Sequence, residues 1–297
     1  MNAQLQLHAR SFPPNAVRFT PPTLPKTRAP HRVKRHRSIF ISDVHLGTRG
    51  CKADLLGDFL AHNDCDVLYL VGDIIDGWRL SRSWYWTEAH SRVLNAILHK
   101  ASEGKRVVFV PGNHDEIFRS YCGITLAGIE VVAEAVHRTA DGRLFLVTHG
   151  DRYDGVVTYA NWLAHLGDWA YTIALQMNDV LAVVRRHLGM PYWSLSNYLK
   201  HTVKTAAAFI CEYEHAVVRA TKARGFDGVV CGHIHQADVK TVDGVLYCND
   251  GDWVESCTAL TEDARGRLEI VHWTDIAQEE PFLPPLSRAA SDVLATA

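Results

Sequence analysis

Three short apolar runs, separated by two helical stretches, constrain the fold of this chain most. The runs cover residues 38–42, 67–71 and 107–110, and apolar residues recur at helical spacing near 52–62 and 84–102. Uninterrupted apolar runs of this length are typical of strands that are buried on both faces. Their alternation with helices predicts a largely parallel sheet with helices on its faces.

Two further patterns extend this architecture. Asp141-Gly142 and Asp243-Gly244 each lie between apolar segments and predict hairpins, so antiparallel strands should join the fold. Residues 153–224 instead carry apolar side chains at steps of three and four, which predicts a helical insertion. We expect an α/β fold, a mixed β-sandwich flanked by helices, over residues 38–275, with the insertion forming a helical lid.

The two ends of the chain differ from this domain. Residues 1–37 contain six prolines and eight Lys or Arg but no acidic residue, so they cannot supply a packed core and are expected to be a disordered tail. The basic run over 28–37 favours either a solvated tail or contact with an anionic membrane. Residues 276–297, rich in prolines and small residues, predict a loose C-terminal tail.

Bulk composition narrows the class of protein. A formal net charge of -2 and a pI near 6.8 give no overall basic field, so no nucleic-acid partner is expected. Seven scattered cysteines without a C-x-x-C pair argue against a disulfide framework and a zinc ribbon, and favour a reducing cytoplasm. No uncharged run reaches the roughly 18 residues of a bilayer span, which predicts a soluble or peripheral protein.

Five polar motifs lie within or beside the loops that follow predicted strands. In chain order they are Asp43-Val-His45, Gly72-Asp73, Gly112-Asn113-His114-Asp115, His149-Gly150 and Gly232-His233-Ile234-His235. Open α/β sheets bind ligands at the carboxyl ends of their strands, where such loops can aim side chains at one point. Carboxylate, amide and imidazole ligands together suit Mn, Fe or Zn. A site for two divalent metal ions is therefore predicted.

The chemistry of such a pair indicates a role for individual residues. Two cations about 3.5–4 Å apart can clamp a phosphoryl group and activate a water, and they need a bridging carboxylate, for which Asp73 is the candidate. An imidazolium beside them can stabilise the charge of the transition state or protonate the leaving oxygen. His114 suits that role, with Asp115 available to orient it. Each motif alone also fits chance or a structural histidine, so their joint order supports this interpretation.

In that order the motifs resemble the calcineurin-like metallophosphoesterases, whose pattern is D-x-H, G-D, G-N-H-[DE], H and G-H-x-H. The resemblance covers about 38–275. It implies two metal-ligand sets that share one aspartate: Asp43, His45, Asp73 and His235 on one ion, and Asp73, Asn113, His149 and His233 on the other. It also implies His114 as the catalytic residue and Mn as the expected metal, with Fe or Zn as alternatives.

Within this family the chain looks like the branch of UDP-2,3-diacylglucosamine pyrophosphohydrolases, which cleave a nucleotide-sugar lipid to UMP and an acylated sugar phosphate. The likeness rests on Asp43-Val-His45-Leu46, on Gly72-Asp73-Ile-Ile-Asp76-Gly-Trp78, and on His149-Gly-Asp151 followed by a helical insert. The best-known members carry arginine where this chain has His114. Side chains close to these motifs are candidate substrate contacts, although the arginines also suit surface charges; they are Asp76, Trp78, Arg79, Arg82, Asp151 and Arg152.

Three other functions remain open at this point. One is a metallophosphodiesterase that acts on a soluble phosphodiester or a cyclic nucleotide and needs no apolar insert. Another is a non-catalytic scaffold with the same fold, which would be expected to lack some of the ligand residues. The third is a nuclease, which the absence of a basic field disfavours. For the lipid enzyme we expect a cytoplasmic protein, peripheral at the inner face of the cytoplasmic membrane.

Overall fold

The computed structural model describes residues 33–156 and 210–279. Its strands form two mixed sheets. In chain order the strands are β1 Lys34–Ile41, β2 Asn63–Leu70, β3 Arg106–Phe109, β4 Thr125–Leu126, β5 Ile129–Val131, β6 Ala135–Arg138, β7 Leu144–Val147, β8 Gly228–Cys231, β9 Asp238–Val242, β10 Val245–Asn249, β11 Thr258–Glu262 and β12 Leu268–His272. The helices are α1 Ala53–His62, α2 Gly77–Arg82, α3 Glu88–Ser102, α4 over 210–223 and α5 Trp273–Glu279. Two 3₁₀ turns occupy Glu116–Tyr121 and Asp151–Val156.

The first sheet has the order β12-β11-β1-β2-β3-β5-β4, and the second has the order β6-β7-β8-β10-β9. Strands β1, β2 and β3 run parallel to one another, as do β7, β8 and β10. Both predicted hairpins are confirmed, since β6 pairs antiparallel with β7 and β9 with β10. The two parallel trios bring their carboxyl ends, and hence the loops that follow them, to the edges of the sheets where ligands bind.

Alternate residues of the central strands face two different cores. Phe40, Tyr69 and Val108 face the second sheet and pack in one cluster with Phe145 and Val230. This cluster forms the core between the two sheets. Burial of each such side chain contributes about 1.5–3 kcal/mol relative to exposure, so this layer supplies much of the stability of the fold.

The opposite face of each sheet is covered by helices. Ile39, Leu68 and Val107 pack in a cluster with Leu56 of α1 and Val93 of α3. The outer face of the second sheet packs against α4 in a third cluster. The order of layers is thus helix, sheet, sheet, helix, and the predicted mixed α/β sandwich is confirmed. It also explains the uninterrupted apolar runs, since the central strands are buried on both faces.

The first strand begins earlier than the sequence predicts. The tail was expected to end at residue 37, but β1 starts at Lys34 and pairs with β2 from that residue onwards. The charged residues enter the sheet because they find partners there: Arg35 binds Asp66 at 2.8 Å, and His36 lies 3.0 Å from Asn63. Part of the basic run is therefore the first half of strand β1, and residues 1–32 lie outside the described residues.

Other boundaries also differ from expectation. The helix expected over 84–102 begins at Glu88, where the Thr87 side chain caps it. The separate short helix α2 precedes it. The C-terminal tail was expected from residue 276, but residues 276–279 belong to α5, and residues 280–297 lie outside the described residues. Most of the predicted helical lid lies outside the described residues. Within the described ranges, no helix has both the length and the apolarity that a bilayer crossing requires.

A buried carboxylate ties the two sheets together. Glu262 of β11 is fully buried and accepts hydrogen bonds from Arg37 at 2.8 Å and from the Ala140 N–H at 2.8 Å. Its Oε2 also lies 2.9 Å from the His137 ring, whose other nitrogen is 3.1 Å from the Tyr69 hydroxyl. Burial opposes the charge, but these partners outweigh it and lower the pKa of Glu262.

Replacing Glu262 by glutamine is expected to cost about 2 kcal/mol of unfolding free energy, because buried donors keep a weaker acceptor and Arg37 loses its counter-charge. Urea unfolding in the presence of a chelator measures this as a lower midpoint at unchanged slope. The matched control Glu130→Gln removes an exposed partner of Arg106 and should cost less than about 1 kcal/mol.

The pH dependence of this loss has a defined sign. Because folding lowers the pKa of Glu262, its contribution is full at neutral pH and disappears as the pH falls through the lowered folded value. The difference between the parent protein and Glu262→Gln should therefore shrink in acid. A difference that stays constant into strong acid would show that the charge of Glu262 contributes nothing.

Candidate metal centre

The five motifs of the sequence converge at one edge of the sandwich. Asp43 and His45 follow β1, Asp73 follows β2, and Asn113 and His114 follow β3. On the second sheet, the other motif histidines follow β7 and β8; they are His149, His233 and His235. Loops from both sheets therefore supply the site, as the order of the motifs predicts.

Three groups of side chains at this edge each have ligand atoms that all lie within 4.8 Å of one another. The groups are Asp43, His45 and His235; His45, Asp73 and His114; and Asp43, Asp73 and His149. They overlap, so they form one continuous centre. In that centre Asp43 and Asp73 lie between the imidazoles of the two sheets.

Asp73 lies between the two predicted ligand sets. Its Oδ2 lies 3.4 Å from His149 Nε2 and 3.9 Å from His45 Nε2, and these imidazoles belong to different predicted ligand sets. Its Oδ1 accepts the backbone N–H of His114 at 2.8 Å. One carboxylate oxygen is thus fixed by the loop after β3, while the other faces both sets.

The donor atoms fit divalent cations. Asn113 Oδ1 is buried and has no hydrogen bond from a described residue. Asp43 Oδ1 and His149 Nε2 are also buried without a well-aligned hydrogen bond, and the side chains they approach, His235 and Asp73, are themselves candidate ligands. His149 Nδ1 lies 2.8 Å from the Val71 carbonyl, which fixes the N–H there and leaves Nε2 as a lone pair directed at the centre. Buried polar atoms normally have partners, so these three atoms are those expected of metal ligands.

The carboxylates and imidazoles of the centre shift one another's pKa values. Burial opposes charge on Asp73, yet the neighbouring His149 lowers its pKa, and Asp73 and Asp43 raise the pKa of His149 well above the usual value. Burial likewise opposes charge on His235, but Asp43, whose Oδ1 is 3.2 Å away, raises its pKa to about 9. A divalent cation must compete with these protons, so metal binding should weaken as the pH falls.

The backbone around the ligands is strained in a consistent way. Asp43, His45, Asp73, His233 and His235 all have positive φ, between 49° and 74°. This left-handed region is uncommon for residues other than glycine and costs of order 1–3 kcal/mol per residue. Such strain is concentrated at functional sites, where the surrounding fold enforces it.

Two glycines of the motifs are required by close approach. A Cβ on Gly112 would overlap the Asp73 carboxylate and the His149 ring, and a Cβ on Gly232 would overlap Ser42 and the Asp43 carboxylate. The glycines before Asn113 and His233 therefore leave room for the ligands of neighbouring loops. This is a physical reason for the G-N-H and G-H-x-H patterns.

The ring of His114 lies beside the ligands and is held by a carboxylate that differs from the one expected. The sequence predicts that Asp115 orients His114, but both oxygens of Asp115 accept backbone N–H groups, from Gly112 at 2.6 Å and from Ile74 at 2.8 Å. Burial, with the Asp73 charge, raises the pKa of Asp115 to about 6. Asp115 therefore joins two loops and does not orient the imidazole.

Asp76 has the contacts that were expected of Asp115. Its Oδ2 lies 3.1 Å from His114 Nδ1 and 3.3 Å from His45 Nδ1, and its Oδ1 caps α2 by accepting the Arg79 N–H at 2.8 Å. Burial opposes its charge, but the hydrogen bonds from the two imidazoles outweigh it and lower the pKa of Asp76. Asp76 was a candidate substrate contact; in the structure it contacts one predicted ligand and the predicted catalytic residue.

The other candidate substrate contacts surround this centre. The Trp78 ring lies 4.3 Å from the His114 ring and is 45% exposed, while Arg79 and Arg82 are exposed on α2. Asp151 binds Arg119 at 2.6 Å, and Arg152 is exposed. Asp151 is therefore already paired.

Arg119 is a residue of this region that the sequence reasoning missed. Its guanidinium, besides binding Asp151, donates to the Pro111 carbonyl at 3.4 Å and so joins the loops after β3 and β7. It lies in the 3₁₀ turn that follows the Asn113-His114 motif. No sequence motif marks it, because its partner lies 32 residues away in the chain.

A second missed group lies behind Asp43. The Ser42 hydroxyl is 2.5 Å from Asp43 Oδ2, 2.6 Å from Asp250 Oδ1 and 3.1 Å from the Gly251 carbonyl. A hydroxyl donates a single hydrogen, so the fully buried Asp250 satisfies this geometry as a neutral acid. Burial raises its pKa well above the usual range, in agreement with that state. The signal was present in the sequence, since Asp250-Gly-Asp252 follows the apolar run of β10.

The sequence of this chain also matches a known protein family. The sequence model described as calcineurin-like phosphoesterase matches residues 36–237. No curated protein matches the chain significantly.

Several solved structures are similar to this chain at low identity. The phosphoesterase Yfce from E. coli has 13% identity and a TM-score of 0.40, with 79% of this chain and 98% of that chain covered. A novel archaeal phosphodiesterase has 13% identity and a TM-score of 0.37, with 79% and 98% covered. Vacuolar protein sorting 29 from Cryptosporidium parvum has 12% identity and a TM-score of 0.37, with 79% and 94% covered.

The family match spans more than half of the chain and contains all seven predicted metal ligands. The chain therefore belongs to the calcineurin-like phosphoesterase family and is a metal-dependent phosphoester hydrolase.

Proposed function

We propose that this hydrolase cleaves the diphosphate of UDP-2,3-diacylglucosamine, or of a related nucleotide-sugar lipid, to UMP and an acyl-sugar 1-phosphate. The observation that carries the proposal concerns the G-D-x-x-D-x-W form by which the chain resembles that branch. Its second aspartate, Asp76, and its tryptophan, Trp78, both contact His114. The two residues that characterise this branch therefore lie against the predicted catalytic residue.

We assign the metal ligands as the sequence does, with Asp73 shared between the two sets. Asp43, His45 and His235 complete one set, and Asn113, His149 and His233 complete the other; the buried donor atoms described above support both. Mn is the proposed metal, with Fe or Zn as alternatives. Two such cations, when bound, supply Lewis-acid stabilisation of the phosphoryl oxygens and activate a water molecule.

His114 has the position of an acid or a charge donor in this reaction. Its Nδ1 faces Asp76, which leaves Nε2 for the phosphoryl group. As water adds to one phosphorus and the bond to the bridging oxygen breaks, an imidazolium at Nε2 can stabilise the equatorial oxygens or protonate the departing oxygen. Burial lowers the pKa of His114, but Asp76 and the charge of Asp73 outweigh it and raise the pKa, which favours the protonated ring.

Trp78, Arg79, Arg82, Asp151 and Arg152 remain proposed substrate contacts. Exposed guanidinium groups beside a phosphoester site suit phosphate oxygens. We also propose a cytoplasmic protein that contacts the anionic inner face of the membrane, where a lipid-linked substrate would be found. No nucleic-acid partner is proposed.

The test is hydrolysis of UDP-2,3-diacylglucosamine in detergent micelles with Mn, followed as UMP release, with bis-p-nitrophenyl phosphate as a generic control. The Asp73→Asn variant serves as the matched inactive enzyme, which shows whether UMP release belongs to this chain. UMP release far above turnover of the generic ester is the expected result. Turnover of the generic ester alone would reject the lipid substrate and keep the phosphoester hydrolase.

The alternative substrate class is a soluble phosphodiester or cyclic nucleotide, which the generic architecture of the centre also accommodates. Detergent dependence separates the two, because a lipid enzyme is activated by mixed micelles and a soluble diesterase is indifferent to them. A non-catalytic scaffold would be inactive on both substrates and would bind no transition metal.

A further inference from the structure

Large apolar side chains are exposed along one rim of the metal centre. Trp84 is 76% exposed, Ile117 67%, Tyr121 46% and Trp78 45%. Large aromatic and aliphatic side chains at this exposure are costly unless a partner covers them, and contiguous groups of them mark interaction sites. Here they lie on α2, on the segment just after it, and on the 3₁₀ turn Glu116–Tyr121.

Two of the segments that carry these side chains, α2 and the 3₁₀ turn, meet beside His114. The Trp78 indole N–H lies 3.4 Å from Glu116 Oε1, which joins α2 to the 3₁₀ turn that carries Ile117. The same indole packs on the His114 ring, with the ring centroids 4.3 Å apart. The surface thus runs along the edge of the site rather than on a distant face.

Positive charge accompanies the apolar residues. Arg79 and Arg82 are three residues apart on α2, so they project from neighbouring positions of one helical face. Both are exposed, and neither side chain forms an ion pair with a described residue. Other exposed arginines, such as Arg92 and Arg106, are paired with carboxylates.

We propose that this surface docks on an anionic lipid bilayer. We call it the aromatic rim and define it as Trp78, Arg79, Arg82, Trp84, Ile117 and Tyr121. Tryptophan and tyrosine are suited to the boundary between head groups and acyl chains, and arginines beside them bind lipid phosphates. Exposed aromatic rings beside guanidinium groups that have no ion pair within the described part of the chain match a lipid surface better than the uncharged interior of a protein interface.

Docking by the aromatic rim would place the metal centre at the lipid surface. Trp84 and Ile117 would enter the head-group region, while Trp78 stays between the bilayer and His114. The proposal rests on the proposed function, because a hydrolase of a lipid-linked diphosphate gains from reaching its substrate in the membrane plane. It also differs from binding by the basic N-terminal residues, which would leave the orientation of the site unspecified.

The test compares full-length variants in co-sedimentation with phosphatidylglycerol-containing vesicles and with pure phosphatidylcholine vesicles. Trp84→Ser and Ile117→Ser together should weaken binding to the anionic vesicles by about tenfold or more. Arg79→Gln and Arg82→Gln together should weaken it by about 25-fold, close to fivefold for each charge. The control Val136→Ser changes an exposed valine on β6 and should leave binding unchanged.

Either of two results would overturn the proposal. One is unchanged binding in both rim variants, which would assign membrane contact to another part of the chain or to none. The other is equal binding of the parent protein to both kinds of vesicle, which would remove the role of the arginines.

Activity measurements keep this proposal separate from the substrate proposal. Trp84→Ser with Ile117→Ser should hydrolyse bis-p-nitrophenyl phosphate in solution like the parent enzyme, because neither residue contacts the centre. Rim-dependent vesicle binding without UMP release would keep the docking surface and reject the substrate. UMP release in detergent, together with vesicle binding that the rim variants do not weaken, would keep the substrate and reject the docking surface.

Discussion

Asp73→Asn is expected to lower kcat/KM for bis-p-nitrophenyl phosphate by roughly 10³-fold and to reduce the metal bound per chain. An amide at this position removes a negative charge and one anionic oxygen from the point where both ligand sets meet. Asp73 Oδ2 lies 3.4 Å from His149 Nε2 and 3.9 Å from His45 Nε2. Loss of that charge weakens cation binding and the clamp on the phosphoryl group, an effect of about 4 kcal/mol. Steady-state kinetics and elemental analysis of the same preparation measure both quantities.

The matched control for this change is Asp66→Asn, on the strand that precedes Asp73. Asp66 is exposed and pairs with Arg35 at the surface, so its replacement should leave metal content and turnover unchanged. Full metal occupancy together with full activity in Asp73→Asn would contradict the bridging role. Full metal occupancy with lost activity would show that Asp73 acts in the chemical step and is not needed to retain the metal.

The convergence of the candidate ligands was predictable from sequence, because the strands of this fold are visible as apolar runs. Ile39, Phe40 and Ile41 alternate between two buried clusters, so the strand has no polar face and appears as a continuous apolar run. A parallel strand ends at the same edge as its neighbour, which places Asp43 beside Asp73 from chain order alone. The same logic extends to the histidines after β7 and β8.

The partners of His114, the predicted catalytic residue, were not predictable in the same way. Asp115 is adjacent to His114 in sequence, but the turn of the loop directs its carboxylate to backbone N–H groups of two loops. Asp76 reaches His114 because it caps α2, a helix of six residues with no clear periodic signal. The contact depends on where one loop ends in space relative to another, and residue spacing does not encode that distance.

Residues at the ends of strands show a related limit of prediction from sequence. From the sequence, Arg35 and Arg37 look like part of a basic tail. They belong to a strand because their ion-pair partners, Asp66 and Glu262, lie beside them in the folded chain. Ser42 and Asp250 are 208 residues apart, yet they share a hydrogen bond directly behind a predicted ligand. Tertiary partners of this kind override local composition.

His114→Ala should keep the metals and lower kcat by about 10²- to 10⁴-fold, the range expected when a general acid or base is lost. We expect metal retention because the contact with Asp73 is made by the backbone N–H of residue 114, which alanine preserves. Elemental analysis should therefore match the parent protein while turnover falls. The control His99→Ala changes an exposed histidine of α3 and should leave both unchanged. Full activity in His114→Ala would end its assignment to the reaction.

A variant of Asp76 tests how His114 is held. Asp76→Asn removes the carboxylate that lies 3.1 Å from the imidazole, so the pKa of His114, which Asp76 raises against burial, should fall. If the protonated ring is the active form, kcat/KM declines above that pKa, and the alkaline limb of the pH profile should move to lower pH. The rate at the optimum should drop by about 10- to 100-fold, as for other carboxylates that orient active-site imidazoles. An unshifted limb would show that Asp76 acts through α2 or through His45 and not on the proton of His114.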